Sequence, residues 1–148
     1  MFDGTSAARQ PARMTTSAIP SGFAPFTLDS AYVRALGPLY ADEAEARLGL
    51  VSTDVLANIG GVVHGGALAT FADVALFVIA GEGRVRRDCV TLTLNTSFVA
   101  PAPLDRFLIA SGRIVREGRS IVFVDGQVAD GDVVCLTFSG TLKRLASR

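Results

Sequence analysis

The sequence predicts an α+β domain in which an antiparallel sheet wraps around one long helix. The segment from Gly66 to Gly81 is apolar on every side except at Thr70 and Asp73, as expected of a helix buried in a core. Four strand-like segments follow it, and no further convincing helix is indicated in that part of the chain. Strands that follow a single apolar helix favour a sheet packed over that helix rather than alternating βαβ units.

Length and composition indicate one domain with more apolar surface than a small monomer can hide. The chain has 148 residues, of which 49% are hydrophobic, and its mean hydropathy is +0.41. A domain of this size has little interior to fill, so we expect part of this surface to be buried in a homo-oligomer. Basic and acidic residues balance at 14 each. This balance predicts no nucleic-acid partner and no binding to an acidic membrane surface.

The N-terminal part of the chain is predicted to consist of an unstructured tail and the start of the domain, which includes one short helix. Residues 1–22 have no hydrophobic periodicity and contain prolines, so we predict an unstructured tail followed by a single domain over residues 23–148. Asp29-Ser30 precedes the sequence AYVRAL, which favours a short helix that ends at Gly37.

Residues 38–50 are ambiguous. Their Ala, Glu and Arg content favours a helix by propensity, whereas apolar residues at nearly every second position favour a strand. We prefer one strand with a half-polar face. Residues 51–61 contain Ser, Asp, Asn and Gly and are predicted to form a loop that leads into the long helix.

The segments after the long helix alternate apolar and polar residues, most clearly in CVTLTLNTSFV. A turn at Glu117-Gly118-Arg119 separates two of them, and an Asp130-Gly131 pair between apolar runs indicates a hairpin. The predicted strands cover residues 89–99, 104–116, 120–129 and 133–145.

Several features indicate a cytoplasmic protein without a membrane segment or a metal site. The apolar run 67–80 is too short to span a bilayer, which needs about 20 residues, and Asp73 in its middle argues further against lipid. The N-terminal segment lacks the apolar core of a secretory signal. Cys89 and Cys135 have no metal-ligand spacing and lie in apolar strand-like runs, so we expect buried, reduced thiols.

The start of the long helix is the first candidate site. If the helix begins near Gly65, its first amides point outward unpaired and carry the positive end of the helix dipole. Glycines at this position allow a ligand oxygen to approach the backbone closely. Asp73 lies eight residues later, about 12 Å along the axis. One substrate carbonyl therefore cannot touch the Gly65 amide and the Asp73 carboxylate of the same chain, and joint action on it predicts a site shared across a dimer.

Other candidates each have an ordinary structural explanation. His64, the only histidine, is well suited to hold the loop in place, Asn58 could cap a turn, and Thr91 could be a plain strand residue. Asp73 is different, because a carboxylate inside an apolar helix is costly unless it is paired, hydrogen-bonded or protonated. A functional role is therefore favoured for Asp73.

Together these residues follow a known spacing. Asn58, Gly61, His64-Gly65-Gly66 and Asp73 form the pattern N-x-x-G-x-x-H-G-G, six residues, D, which resembles the hotdog-fold acyl-CoA thioesterases. It is most similar to the type named for phenylacetic acid degradation. The strand TLTLNTSFVAPAP is similar to the segment that this family carries after its central helix. The resemblance covers residues 36–145.

The resemblance implies a hotdog fold, a long central helix wrapped by an antiparallel sheet, assembled into homodimers and often homotetramers. In that family the residue matching Asp73 is the general base or nucleophile, and the amide matching Gly65, from the other chain, polarises the thioester carbonyl. The residue matching Asn58 positions the water or the thioester, and the one matching Thr91 assists the carboxylate. His64 and Gly66 are expected to contact substrate. The family uses no metal and no cofactor, and coenzyme A (CoA) enters as part of the acyl-CoA substrate.

Thioester hydrolysis is the leading hypothesis, and two alternatives stay open. A hydratase or dehydratase commonly needs a histidine paired with a carboxylate, but His64 and Asp73 are nine residues apart and about half a helical circuit out of phase. A non-catalytic acyl-CoA-binding hotdog domain would keep the groove without needing Asp73.

Three aromatic residues could line the pocket: Phe71, Phe77 and Phe98. Four basic residues could meet the CoA phosphates, although solvated charges are their more ordinary explanation: Arg84, Arg86, Arg87 and Arg119.

Overall fold

The computed structural model describes residues 19–145. Its elements in chain order are β1 (Ala24–Phe26), α1 (Ala31–Arg34), β2 (Leu39–Asp42), β3 (Arg47–Val51), a 3-10 turn (Asp54–Leu56), α2 (Gly65–Ala80), β4 (Cys89–Phe98), β5 (Phe107–Glu117), β6 (Ile121–Asp130) and β7 (Val133–Arg144). Most of the predicted tail, residues 1–18, lies outside the described residues.

The seven strands form one antiparallel sheet in the order β1-β2-β3-β5-β6-β7-β4. Helix α2 packs on its inner face against β3, β5, β6, β7 and β4. The predicted α+β arrangement, a sheet wrapped around one long helix, is confirmed. Among the strands of residues 19–145, β4 pairs only with β7 and therefore forms one edge of the described sheet.

The core lies between α2 and the sheet. Phe71, Ala75 and Leu76 of α2 are fully buried, as are the facing side chains Leu108 and Leu136. Helix α2 comes close to the sheet at Gly140 of β7, where a Cβ would lie 2.5 Å from Leu76 Cδ1 and 2.9 Å from the Thr93 carbonyl oxygen of β4. Only a glycine fits this crossing without a shift of its neighbours.

The single strand predicted over residues 38–50 is wrong, because the chain turns back on itself there. Strands β2 and β3 form a hairpin in which Asp42 pairs with Arg47 across the ladder. Ala46 in the turn has φ +50°, and the nearly buried Asp42 carboxylate accepts hydrogen bonds from the Arg47 guanidinium and from the Glu45 amide. The alanines of the turn continue the alternation, so periodicity alone did not reveal the reversal.

The remaining elements agree with the prediction to within a few residues. Ser30 caps α1 by accepting a hydrogen bond from the Val33 amide. In the predicted hairpin, Asp130 is the last residue of β6 and pairs with Val133, so the loop is Gly131-Asp132 with Gly131 at φ +56°. Strand β1 was not predicted, because three residues are too few to show a period. The predicted loop 51–61 contains the 3-10 turn.

Candidate active site

The long helix begins at Gly65, as predicted, and His64 is its N-cap. The His64 Nδ1 accepts a hydrogen bond of 2.9 Å from the Gly66 amide, which satisfies one of the unpaired donors of the first turn. The Gly65 amide has no acceptor among residues 19–145. This backbone N–H at the positive end of the dipole is therefore available to a ligand oxygen. His64 has the structural role expected of it, and it occupies the neighbouring amide.

Gly65 opens into a cavity of about 360 Å³. Its other walls include Asn58, Val62, Phe98 and Pro101. A Cβ at Gly65 would lie 3.2 Å from the Phe98 ring, so the glycine keeps the backbone open beside an aromatic side chain that is 57% exposed. The donor thus sits at the edge of an apolar cavity, where an oxyanion gains most from a fixed hydrogen bond.

Asn58 positions the loop that carries this cavity. Its Oδ1 accepts hydrogen bonds from the Gly60 amide at 2.8 Å and from the Val62 amide at 3.3 Å, and its own backbone N–H donates to the Val62 carbonyl. This is the turn-capping role that its residue type favours. Asn58 also lines the Gly65 cavity.

Asp73 and Thr91 are in direct contact. The Thr91 hydroxyl donates to Asp73 Oδ1 at 2.8 Å. Thr91 reaches the helix because it lies on the inner face of β4, opposite the fully buried Leu142 of β7. A β-bulge between Thr91 and Thr93 then turns Thr93 outward, where its hydroxyl bonds Thr141 at 2.8 Å.

The second Oδ of Asp73 has no hydrogen-bond donor among residues 19–145. Asp73 is half-buried and lines a cavity of about 340 Å³ on the C-terminal half of α2. The apolar walls are Leu28, Val33, Val74, Phe77 and Val85. A carboxylate with a free oxygen at the edge of an apolar cavity is placed to accept a proton from water or to attack a carbonyl.

Polar residues complete the Asp73 cavity. They are Asp29, Arg86, Arg87 and Cys89. Arg86 is held by the Ala80 carbonyl at 3.0 Å and by Glu117 at 2.8 Å, so its guanidinium is fixed in the wall. Burial and the neighbouring Asp88 raise the pKa of the Cys89 thiol, which keeps it protonated and a poor nucleophile.

The two candidate groups of one chain do not share a cavity. Asp73 lines the cavity beside α1 and the 84–89 segment, whereas Gly65 lines the one beside β4 and residues 98–102. Their separation along α2 is about 12 Å. Within one chain the donor and the carboxylate therefore lie in two separate cavities.

One face of α2 is less buried than the rest. Gly66, Thr70, Asp73 and Phe77, spaced by three or four residues, are half-buried or exposed, in contrast to the sheet-facing side chains. The Tyr32 hydroxyl of α1 touches the Thr70 hydroxyl at 3.3 Å. The two polar side chains of the helix, Thr70 and Asp73, therefore lie on the face that the sheet leaves partly accessible.

Of the three aromatic residues considered for the pocket, Phe77 lines the Asp73 cavity and Phe98 lines the Gly65 cavity. Phe71 is wholly buried in the core. The sequence did not predict Leu28 and Val33 as cavity residues, since no local pattern marks α1 as a neighbour of Asp73.

Both cysteines are free and buried, as predicted. No cluster of three or more potential metal ligands occurs within residues 19–145. In the same part of the chain, no helix is both long and apolar enough to cross a membrane.

Comparison with known proteins identifies the family. The model of the thioesterase superfamily matches residues 60–136, just over half of the chain. A Pseudomonas aeruginosa protein named "Putative esterase PA0474" is 28% identical over 126 residues, covering 82% of this chain and 94% of its own.

Solved structures share the fold. The BH2602 protein of Bacillus halodurans, crystallised with CoA, has a TM-score of 0.60 and 26% identity over 67% of this chain and 66% of its own. The PaaI protein of the phenylacetic acid degradation operon of E. coli has a TM-score of 0.65 and 18% identity over 80% of this chain and 87% of its own. Because the family model matches more than half of the chain, this chain belongs to the thioesterase superfamily, as a thioester hydrolase with the hotdog fold.

Proposed function

We propose that this enzyme hydrolyses an acyl-CoA or aryl-acyl-CoA thioester to the free acid and CoA, at a site built from two copies of the chain. The observation that carries the proposal is the separation of two complementary half-sites, a free Gly65 amide and a free Asp73 oxygen, into different cavities of one chain. Neither half-site holds both groups that thioester hydrolysis needs. A second copy supplies the missing group to each.

The less buried face of α2 and the edge strand β4 support an assembly of this kind. Strand β4 leaves one side of its backbone unpaired, and Leu92 on it is 52% exposed. Unpaired strand edges and apolar surface of this sort are normally covered in a stable protein. Two-fold pairing at β4 gives two equivalent sites per dimer, because an isologous interface repeats every contact.

The reaction follows from the two groups. Asp73 takes a proton from a water molecule whose oxygen bonds to the thioester carbonyl carbon. The carbonyl oxygen becomes an oxyanion, which the Gly65 amide of the other copy stabilises. When the carbon–sulfur bond breaks, the departing CoA sulfur receives the proton from Asp73, so the carboxylate is regenerated. Direct attack by Asp73, followed by hydrolysis of the anhydride, uses the same two groups and gives the same products.

The positions of the other predicted residues fit supporting roles. Thr91 holds one Asp73 oxygen so that the other faces the cavity. Asn58 fixes the loop beside Gly65 and is near enough to the cavity to orient the water or the thioester. His64 and Gly66 stay our predicted substrate contacts. The Gly66 amide is already bonded to His64 Nδ1, so of the two residues His64 offers the exposed side chain.

The proposed substrate class rests on cavity chemistry and on a relative. The apolar walls beside Asp73 suit an aliphatic or aromatic acyl group. The Bacillus halodurans relative, 26% identical, was crystallised with CoA, which supports CoA as the thiol half of the substrate. No metal or cofactor is needed for the proposed steps.

The test compares Asp73→Asn with Asp29→Asn on a panel of acyl-CoA and aryl-acyl-CoA thioesters. Asparagine keeps an oxygen that can accept the Thr91 hydrogen bond but cannot take a proton, so kcat of Asp73→Asn should fall by roughly 10²- to 10⁴-fold. Asp29 lines the same cavity and pairs with Arg34 at 3.3 Å, so Asp29→Asn controls for lost charge and should keep kcat. Equal turnover of the wild type and Asp73→Asn on every thioester of the panel would refute the role of Asp73.

A hydratase or dehydratase has less support. Such an enzyme commonly relies on a histidine beside a carboxylate, and His64 Nδ1 is bonded to the Gly66 amide at the start of the helix. Incubation with an enoyl-CoA separates the two reactions, since water addition removes the conjugated double bond whereas hydrolysis releases a thiol.

A further inference from the structure

Three basic residues at one corner of the outer sheet face have no acidic partner within residues 19–145. They are Arg116 at the end of β5, Arg119 in the following turn and Lys143 near the end of β7, and all three are exposed. Arg113 of the same strand is different, because it pairs with Asp125 at 3.1 Å. We call the three unpaired residues the cationic corner.

The cationic corner borders a groove of about 540 Å³ that contains apolar and aromatic surface. Arg116 and Arg119 line it together with Val115, Ile121 and Phe123. Lys143 lies opposite Ile121 in the ladder between β7 and β6. Phe123 is 41% exposed although neighbouring Val122 is fully buried, so strand alternation places the ring on the outer face. Guanidinium groups beside an exposed ring suit a phosphorylated ligand that carries an aromatic base.

The groove lies at the end of the sheet that also holds the Asp73 half-site. Glu117 follows Arg116 in the chain and is the partner of Arg86 at 2.8 Å, and Arg86 lines the Asp73 cavity. The four strands β4, β7, β6 and β5 lie side by side, so the strand of Arg116 is three strand spacings, about 14 Å, from the strand of Thr91. A ligand that joins the two sites passes round the strand ends from the outer to the inner face of the sheet. The phosphopantetheine arm of a CoA thioester is longer than this span.

We propose that the cationic corner binds the phosphorylated nucleotide of the CoA thioester while the reacting carbonyl lies at Asp73. Arg116, Arg119 and Lys143 contact the phosphate oxygens, and Phe123 stacks on the adenine. The inference rests on the proposed function, because it takes CoA as the thiol half of the substrate. Charge complementarity supports it: the nucleotide carries several negative charges, and these cations are not neutralised by acidic side chains of the described chain.

The test is the double variant Arg116→Gln/Arg119→Gln, assayed on two thioesters with the same acyl group. One is the CoA ester and the other is the N-acetylcysteamine ester, which has no nucleotide. Exposed ionic contacts each contribute modestly, so losing two should raise KM for the CoA ester about tenfold. Its kcat should not change. The KM and kcat for the N-acetylcysteamine ester should stay at the wild-type values, which also shows that the variant is folded.

Arg113→Gln is the matched control, since it removes a guanidinium of the same strand that is already paired. It should leave both substrates unaffected. Adenosine 3′,5′-bisphosphate should inhibit the wild type competitively against the CoA ester, and inhibit the double variant much less. An unchanged KM for the CoA ester, or an equal change on both esters, would overturn the proposal. Hydrolysis of the N-acetylcysteamine ester that depends on Asp73 tests the proposed function separately, because the nucleotide takes no part in it.

Discussion

A heterodimer of two inactive variants gives the most direct test of the shared site. One chain carries Asp73→Ala, which removes the carboxylate. The other carries Gly65→Pro, which removes the backbone N–H of the first helical residue and adds a ring whose Cβ lies 3.2 Å from Phe98. Proline is favoured at the first helical position, because the backbone N–H that it lacks would have no intrahelical acceptor there. The preceding His64 has φ −62° and ψ 135°, an extended conformation that a following proline accepts.

The expected activities of the variants follow from which group each one removes and from which site of the dimer loses it. Loss of one oxyanion donor should lower kcat of the Gly65→Pro homodimer by roughly 10²- to 10³-fold. The control Gly65→Ala adds a Cβ 3.2 Å from the same exposed Phe98 ring but keeps the N–H, so its kcat should stay within a few-fold of the wild type. In the heterodimer, one site combines both substitutions and the other combines an intact Asp73 with an intact Gly65. The heterodimer should therefore recover half of the wild-type activity.

The assay coexpresses the two variants with different affinity tags, isolates the heterodimer through both tags, and measures thioester hydrolysis per dimer. If each chain contained a complete site, both sites of the heterodimer would be damaged and no activity would return. A doubly tagged heterodimer that is as inactive as the two parent homodimers would thus refute the two-chain model.

Two further predictions concern single hydrogen bonds. Thr91→Val removes the hydroxyl that donates to Asp73 and should lower kcat about 10- to 100-fold, as expected for a hydrogen bond to a charged group. Thr91→Ser keeps a hydroxyl and, measured in the same steady-state assay, should retain most of the activity. The Arg47 hydrogen bond, opposed by burial, lowers the pKa of Asp42, so the unfolded state binds the proton more readily. The stabilisation that the Arg47 hydrogen bond to Asp42 gives the folded state should therefore be complete above about pH 4 and be lost as the pH falls further. Thermal unfolding between pH 6 and pH 3 should therefore change less in Asp42→Asn than in the wild type, and an equal change would contradict this reasoning.

Much of the fold was predictable because its signals are local. Uninterrupted apolar residues mark α2, and alternation marks β4 to β7, since both patterns reflect which side chains meet the core. The hairpin of β2 and β3 was missed because Ala44 and Ala46 continue the apolar alternation through a turn. That turn is fixed by the Asp42 interaction with Arg47 and by a positive φ, neither of which a periodic pattern reports.

The sequence by itself determined the helix start at Gly65, the isolated carboxylate at Asp73 and the spacing between them, because residue rise along a helix is constant. That spacing is sufficient to exclude a one-chain site for a single carbonyl. Only the tertiary structure decided that Thr91 bonds Asp73, that His64 occupies the Gly66 amide, and that the two half-sites lie in different cavities. These contacts join residues through strand register and side-chain direction, which depend on the packing of the whole sheet against the helix.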